Sequence, residues 1–303
     1  MSGAADLRES GPDEPTTVGA LIGELAAILN TAGVPDAGRE SREIIAAMKD
    51  APRFWPTVNA HVEVSVEERR FARAAAAKRA AGAPFAYAVG TAAFRKLTLA
   101  VDERVLIPRP ETELIVDLVL QLTEAWPGGT AIDIGTGSGA IALALASEST
   151  LDRVLAGDVS SDAIAIARAN AGRLDATARE KLDFRVGSLF APFEGEQARI
   201  VVSNPPYIAA FEADELPDSV RSWEPSVALF GGPDGMGVIR RLIRDARQVL
   251  EPEGWLVMEV DSRRASTVVE ALSLYDSYAD IGVRLDLAGR ERFVIARLRE
   301  KGK

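Results

Sequence analysis

Ala131-Ile132-Asp133-Ile134-Gly135-Thr136-Gly137-Ser138-Gly139-Ala140-Ile141-Ala142 reads as a buried strand, a glycine loop and the first turn of a helix. Gly135 and Gly137 let the backbone turn tightly and approach a ligand, while the helix behind them presents free N–H groups. Asp158 closes the next strand about 20 residues on, where a carboxylate reaches a ribose hydroxyl pair. Gly135, Gly137 and Ala140 also satisfy the dinucleotide fingerprint in its G/A form, so the loop alone does not choose between NAD and S-adenosylmethionine.

Outward from this loop, strands and helices alternate. Strand candidates are 130–134, 153–157, 183–186, 199–203, 255–260, 281–285 and 292–298. Helices fall near 139–148, 161–171, 236–249 and 263–273. The alternation implies an α/β domain with a parallel sheet covered on both faces. Its last two strands read as an antiparallel hairpin.

Two features favour S-adenosylmethionine. Asp133 puts a carboxylate where a methionine ammonium is held and a pyrophosphate is repelled. The fourth strand runs into Val201-Val202-Ser203-Asn204-Pro205-Pro206-Tyr207-Ile208, a turn stiffened by two prolines. A doubly wound sheet brings that turn to the cofactor at its carboxyl edge. There the Asn204 side-chain oxygen and the Pro205 carbonyl can accept the N–H bonds of a planar nitrogen lying on Tyr207. A hydride-transfer enzyme has no use for such a turn.

The chain has 303 residues, enough for a large domain and a small one. No apolar run approaches the roughly 20 residues of a membrane span. Zero cysteines exclude disulfides and thiolate metal sites and fit a cytoplasmic setting. The one histidine, His61, cannot build a multi-histidine metal site, and no metal is expected. A net charge of −10 argues against DNA or another partner held mainly through phosphates.

Residues 1–16 are polar, with proline and glycine, and read as a disordered leader. Residues 17–90 read as a small all-helical domain, with helices at 18–32 and about 37–49 and a third opened by a capping box at Ser65-Val66-Glu67-Glu68. Phe54-Trp55, between Pro52 and Pro56, reads as a turn packed by aromatics. Arg69, Arg70, Arg73, Lys78 and Arg79 form either a docking face for an acidic or RNA-like partner or a solvated helix face. Over 91–108, alternating apolar residues with Asp102-Glu103 between the runs suggest a β-hairpin joining this domain to residues 109–303. Pro110, Glu111 and Glu113 suit a helix start. Arg109 is not needed for that, and either faces the cleft or pairs with a carboxylate.

Taken together, these residues resemble a known family, the release factor glutamine methyltransferases of the HemK/PrmC type. The resemblance covers residues 18–299. It rests on Pro84-Phe85-Ala86-Tyr87 with Gly90, Arg104 to Glu113, the 133–139 loop, Asp158, Asn204 to Tyr207, Glu224-Pro225, Gly231 to Gly235, and Asp286 to Arg290. It implies a class I, Rossmann-like methyltransferase domain whose substrate is the glutamine of the Gly-Gly-Gln loop of class I release factors, docked with help from the helical domain. It implies cofactor contacts from Asp133, Gly135, Thr136, Gly137, Ser138, Gly139, Asp158, Leu189 and Asn204. It implies substrate contacts from Asn204, Pro205, Pro206, Tyr207 and Arg109. The Pro-Arg-Pro-Glu-Thr-Glu run is similar to the release factor branch rather than to the enzymes acting on a ribosomal protein. Three places depart from the family pattern: Arg95-Lys96 replace an aromatic and a glycine, Leu189 stands where an aromatic is usual, and Glu259-Val260-Asp261 replaces Glu-x-Gly. An adenine N6-methyltransferase would use the same kind of turn but would have to flip out a base and hold phosphates.

Overall fold

Ser65 and Glu68 close the expected capping box: the Ser65 hydroxyl accepts the Glu68 N–H at 3.2 Å and the Glu68 carboxylate accepts the Ser65 N–H at 3.0 Å. The computed structural model that shows this describes residues 16–124 and 126–300. All but the last residue of the leader expected over 1–16 therefore lies outside the described residues. The chain divides into two compact units between Gly90 and Thr91.

In the first unit, β1 (Thr16–Thr17) pairs antiparallel with β2 (Glu63–Val64), a contact too short to leave a sequence pattern. Helix α1 (Val18–Thr31) buries Leu21, Leu25 and Leu29 against Ile44 and Ile45 of α2 (Ala37–Met48). The segment expected to be an aromatic turn is a short helix, α3 (Trp55–Val58). Only Trp55 packs on the core, and Phe54 is 67% exposed, because helical geometry turns adjacent residues to different faces. Helix α4 (Val66–Ala80) follows the capping box and lays Ala72, Ala75 and Ala76 on the core. Its basic residues are largely occupied within the unit. Arg69 and Arg73 pair with Glu24 of α1, and Arg79 with Glu40 of α2 at 2.7 Å. A short helix α5 (Phe85–Val89) ends at Gly90, whose φ is +76°.

The second unit opens with a hairpin of β3 (Thr91–Phe94) and β4 (Leu97–Ala100). Its turn is at Arg95-Lys96, not at Asp102-Glu103 as the alternation suggested, and 105–107 is not a strand. Asp102 instead accepts the Arg104 backbone N–H in a local loop. Arg95 holds the turn with φ +53°, a region that glycine enters most easily. Its compensation is a set of charge-assisted bonds: 2.9 Å to both oxygens of Glu148, 2.8 Å to Asp117, and a backbone bond to Glu113.

Helix α6 (Glu113–Glu124) leads to the central sheet. Five parallel strands, β5 (Thr130–Ile134), β6 (Arg153–Asp158), β7 (Leu182–Val186), β8 (Ala198–Ser203) and β9 (Leu250–Glu259), carry the expected pattern. Antiparallel β10 (Tyr278–Leu285) and β11 (Glu291–Leu298) complete the order β10-β11-β9-β8-β5-β6-β7. Helices α7 (Ala140–Glu148), α8 (Ser161–Ala171), the short α9 (Ala176–Glu180), α10 (Asp218–Arg221) and α11 (Ser226–Leu229), then α12 (Gly237–Ala246) and α13 (Ala265–Ser273), connect them. The strand order reverses between β5 and β8, so their carboxyl ends open the crevice where ligands bind in such sheets. Buried β-branched and aliphatic residues of β5, β6, β8 and β9 form the core there.

Candidate active site

The ends of β5 and β8 are tied together by a side chain that the sequence reading passed over. Ser203, the last residue of β8, is fully buried and donates its hydroxyl to the Ile134 carbonyl at 2.7 Å. The glycine loop and the proline turn therefore start from one fixed point.

Gly135, Gly137 and Gly139 all take positive φ, at 75°, 55° and 85°. This lets the Gly135 and Thr136 N–H groups reach back to the Gly157 carbonyl at 2.8 and 3.0 Å, and the Gly137 N–H reach Asp158 at 3.0 Å. A Cβ on Gly139 would come within 2.5 Å of Leu143, so that position also sets how α7 seats.

A cavity of about 280 Å³ opens here, lined by Gly135, Gly137, Asp158, Leu189, Asn204, Pro205 and Pro206 among others. Asp133, Thr136, Ser138 and Gly139 are not in its lining. Asp133 lies fully buried beneath the loop, accepting the Thr136 hydroxyl at 2.6 Å on one oxygen. Burial pushes its carboxyl up to about 7, against the hydrogen bonds from Thr136 and the Ala142 N–H. Among the described residues its Oδ1 has no hydrogen-bond partner. An orphaned buried acceptor of this kind fits an arriving ammonium. Asp158 faces the cavity with its carboxyl raised by burial, and one lone pair on each oxygen is used by the Gly137 and Ser160 N–H groups. Each oxygen keeps capacity for a ribose hydroxyl. The residues present thus fit S-adenosylmethionine. Leu189 borders the cavity in a positive-φ conformation (50°), while Phe190 beside it points into the core.

A second cavity of about 150 Å³ shares Asn204 and Pro205 with the first and is lined also by Arg109, Tyr207 and Leu229 among others. Arg109 answers both readings left open for it, since it lines this cavity and donates to the buried Glu224 carboxylate at 2.5 Å. Glu224 also accepts the Ile107 N–H, so one carboxylate fastens both sides of the Pro108 bend.

The turn is braced from behind. Ile208 forms an isolated parallel bridge with Phe230, donating to the Leu229 carbonyl at 3.0 Å and accepting the Gly231 N–H at 2.9 Å. Glu212 accepts the Ala209 N–H at 2.7 Å and pairs with the buried Arg264 at 2.5 Å. Asn204 donates its Nδ2 to the Thr112 hydroxyl at 3.1 Å. Thr112, Ser203, Glu212 and Glu259 were not singled out from sequence as site residues. The readable signal was weak, a polar residue at the end of a strand or just before a helix.

Among the described residues, no group of three or more His, Cys, Asp or Glu side chains could hold a metal ion, and no helix is long and apolar enough to cross a membrane.

The comparisons with known proteins follow this layout. The family pattern described as methyltransferase small domain matches residues 112–216, and that described as PrmC N-terminal domain matches residues 20–90. Among solved structures, the hMettl16 catalytic domain in complex with MAT2A 3'UTR hairpin 1 is similar with a TM-score of 0.56 over 78% of this chain and 81% of that one. At 17% identity this likeness speaks to the fold alone. Curated relatives named release factor glutamine methyltransferase are nearer in sequence. The one from Rhodopirellula baltica is 35% identical over 95% of this chain and 98% of its own. The one from Koribacter versatilis is 39% identical over 78% and 82%. A third, from Caulobacter vibrioides, is 35% identical over 95% and 91%. Nearly end-to-end matches at this identity, on a methyltransferase fold with a PrmC-type first unit, place the chain in a family: it belongs to the release factor glutamine methyltransferases.

Proposed function

We propose that this chain transfers a methyl group from S-adenosylmethionine to the side-chain amide nitrogen of the glutamine in the Gly-Gly-Gln loop of class I peptide chain release factors. The observation that carries this reading is that Asn204 and Pro205 line both cavities, so a nitrogen held against them from one side faces a cofactor held on the other. Family membership supports the substrate class.

An amide nitrogen is a poor nucleophile because its lone pair is delocalised into the carbonyl. In-line transfer needs it about 3–3.5 Å from the reacting carbon. Bound S-adenosylmethionine supplies the electrophilic methyl group on its sulfonium. The Asn204 oxygen and the Pro205 carbonyl accept the two amide hydrogens, which orients the nitrogen and stabilises the positive charge growing on it. Tyr207 packs along the amide plane with Pro206 behind it. Burial pushes its phenol up to about 12, so it stays neutral and takes no proton near neutral pH. The extra amide proton leaves after transfer, once the nitrogen carries positive charge. Arg109 borders the acceptor cavity as a fixed cation.

In the cofactor cavity, Gly135, Gly137 and Asp158 hold the ribose side and Leu189 flanks the base, while Asp133, buried beneath the loop, offers its free oxygen to the ammonium. Residues 17–90 dock the release factor, 91–108 connect, and 109–303 carry the chemistry, in a cytoplasmic setting. Incubation with unlabelled cofactor and a class I release factor is expected to add about 14 Da, one CH₂, to the Gly-Gly-Gln glutamine by mass spectrometry. An unmodified glutamine with cofactor binding demonstrated overturns the proposal.

Asp133 gives a pH-dependent expectation. Its raised carboxyl carries a proton below about pH 7 in the free protein, whereas an ammonium ligand requires the carboxylate. Cofactor affinity should therefore fall as pH drops through that value. Asp133→Asn should weaken binding about tenfold, the worth of one charge-assisted hydrogen bond, and flatten the profile. Calorimetric titration across that range checks both. An unchanged dissociation constant removes Asp133 from the cofactor site.

A further inference from the structure

Resting on the proposed amide acceptor, we infer that Thr112 and Glu259 are positioning residues that decide which end of the Asn204 side chain faces the substrate. Thr112 ends the 3-10 turn Pro110–Thr112 ahead of α6 and is buried. Glu259 ends β9 at 1% exposure. The parallel register of β8 and β9 sets Ser203 opposite Met258, so Asn204 and Glu259 are the next residues along at the same sheet edge.

A hydroxyl has one hydrogen to give and two lone pairs. Burial raises the Glu259 carboxyl to about 7, and a hydrogen bond with Thr112 works the other way, favouring the carboxylate; in that form Glu259 can only accept, so the Thr112 hydroxyl is the donor. Among the described residues Glu259 Oε2 has no hydrogen-bond partner. With its hydrogen committed, the Thr112 oxygen accepts, and what it accepts is the Asn204 Nδ2 at 3.1 Å. The Asn204 carbonyl oxygen is thereby left for the cavities. The reversed amide would meet a substrate NH₂ with an NH₂, donor against donor. Shape alone does not prevent that, because the two ends of a carboxamide are nearly isosteric. Only the hydrogen-bond sequence from carboxylate to hydroxyl to amide distinguishes them. Arg109, Glu111 and Arg292 act on Glu259 through their charges, and among the described residues Thr112 is the one that supplies it a side-chain hydrogen bond.

The test compares Thr112→Val, Thr112→Ser and Glu259→Gln with wild type, each alone and the first and last also combined with Asn204→Ala. Methyl transfer to the release factor, cofactor affinity and Tm are measured for every protein. Thr112→Val should lower kcat about 10–100-fold, the scale of a misplaced charge-stabilising group, with KM and cofactor affinity within about twofold. Thr112→Ser, which keeps the hydroxyl, should recover kcat to within about threefold. Glu259→Gln should lower kcat without lowering Tm, since it removes a buried charge while loosening the hydrogen-bond order. In the Asn204→Ala background neither substitution should slow the enzyme further, because there is no amide left to orient. Equal losses with and without Asn204, or a Thr112→Val kcat within about twofold of wild type, overturn the inference. Should the valine variant fail to fold, Glu259→Gln carries the same comparison. A wild-type enzyme that leaves the glutamine unmodified overturns the functional reading beneath it, and that control is read first.

Discussion

Asn204→Ala is expected to lower methyl transfer about 10²–10³-fold while the protein stays folded and still binds cofactor. The side chain removed is partly buried at a cavity wall, and its side-chain hydrogen bond among the described residues is to Thr112. Losing it costs the fold little, on the order of 1 kcal/mol. The proposed acceptor for the substrate amide disappears entirely, so the loss should fall on kcat rather than on cofactor affinity. The Pro205 carbonyl remains, which is why some turnover should survive. Stopped assays with cofactor in excess, alongside a thermal melt, separate the two effects. A variant within about threefold of the wild-type rate would remove Asn204 from the chemistry.

Gly235→Ala should do more damage, although Gly235 lines neither cavity. Gly235 has φ +74°, a left-handed conformation that costs other residues roughly 1–2 kcal/mol. Strain is the smaller part. A Cβ there would stand 2.3 Å from the Tyr207 carbonyl oxygen and 2.6 Å from the Arg264 guanidinium. Neither can move freely, since Tyr207 belongs to the proline turn and Arg264 is held by buried Glu212. Nearby Gly231 is equally confined, with the Pro206 carbonyl 2.5 Å from where its Cβ would be. The alanine variant is expected to lose more than about 2 kcal/mol of stability, read from denaturant midpoints, together with nearly all turnover. A variant with wild-type midpoint and rate would mean that the 231–235 loop yields easily.

The central sheet was legible because buried parallel strands write themselves as short aliphatic runs between glycine and proline punctuation. β5 and α7 follow from Ala131 to Ala142 almost residue for residue. The short helices α3, α5, α10 and α11 were not legible, since a single turn of helix has no room for a periodic pattern. The hairpin turn was misplaced for a specific reason. Asp102-Glu103 looks like a turn by composition, whereas the real turn is made by Arg95, an unfavourable residue held there by Glu148, Asp117 and Glu113. Distant carboxylates override local propensity. The same holds for the basic residues of α4, whose partners Glu24 and Glu40 lie on other helices.

At the site, sequence pattern was sufficient for atoms that approach a ligand through the backbone and insufficient for side chains that act through neighbours. Gly135, Gly137, Asp158, Leu189, Asn204 and Pro205 do line one cavity. Asp133, Thr136, Ser138 and Gly139 stand behind that surface rather than on it. Ser203, Thr112 and Glu259 were missed because a buried hydroxyl or carboxylate has a meaning only once its partner is known, and the partners here are 69, 92 and 147 positions away in order.

The bridge between Ile208 and Phe230 bears on the timing of encounters. Two prolines and that bridge mean that the wall between the cavities has already surrendered its conformational freedom when the chain folds. Neither ligand has to wait for this wall to form, and neither loses affinity to ordering it. Association rates for cofactor should then be governed by diffusion and by the cavity mouth, with no slow isomerisation traceable to residues 204–208.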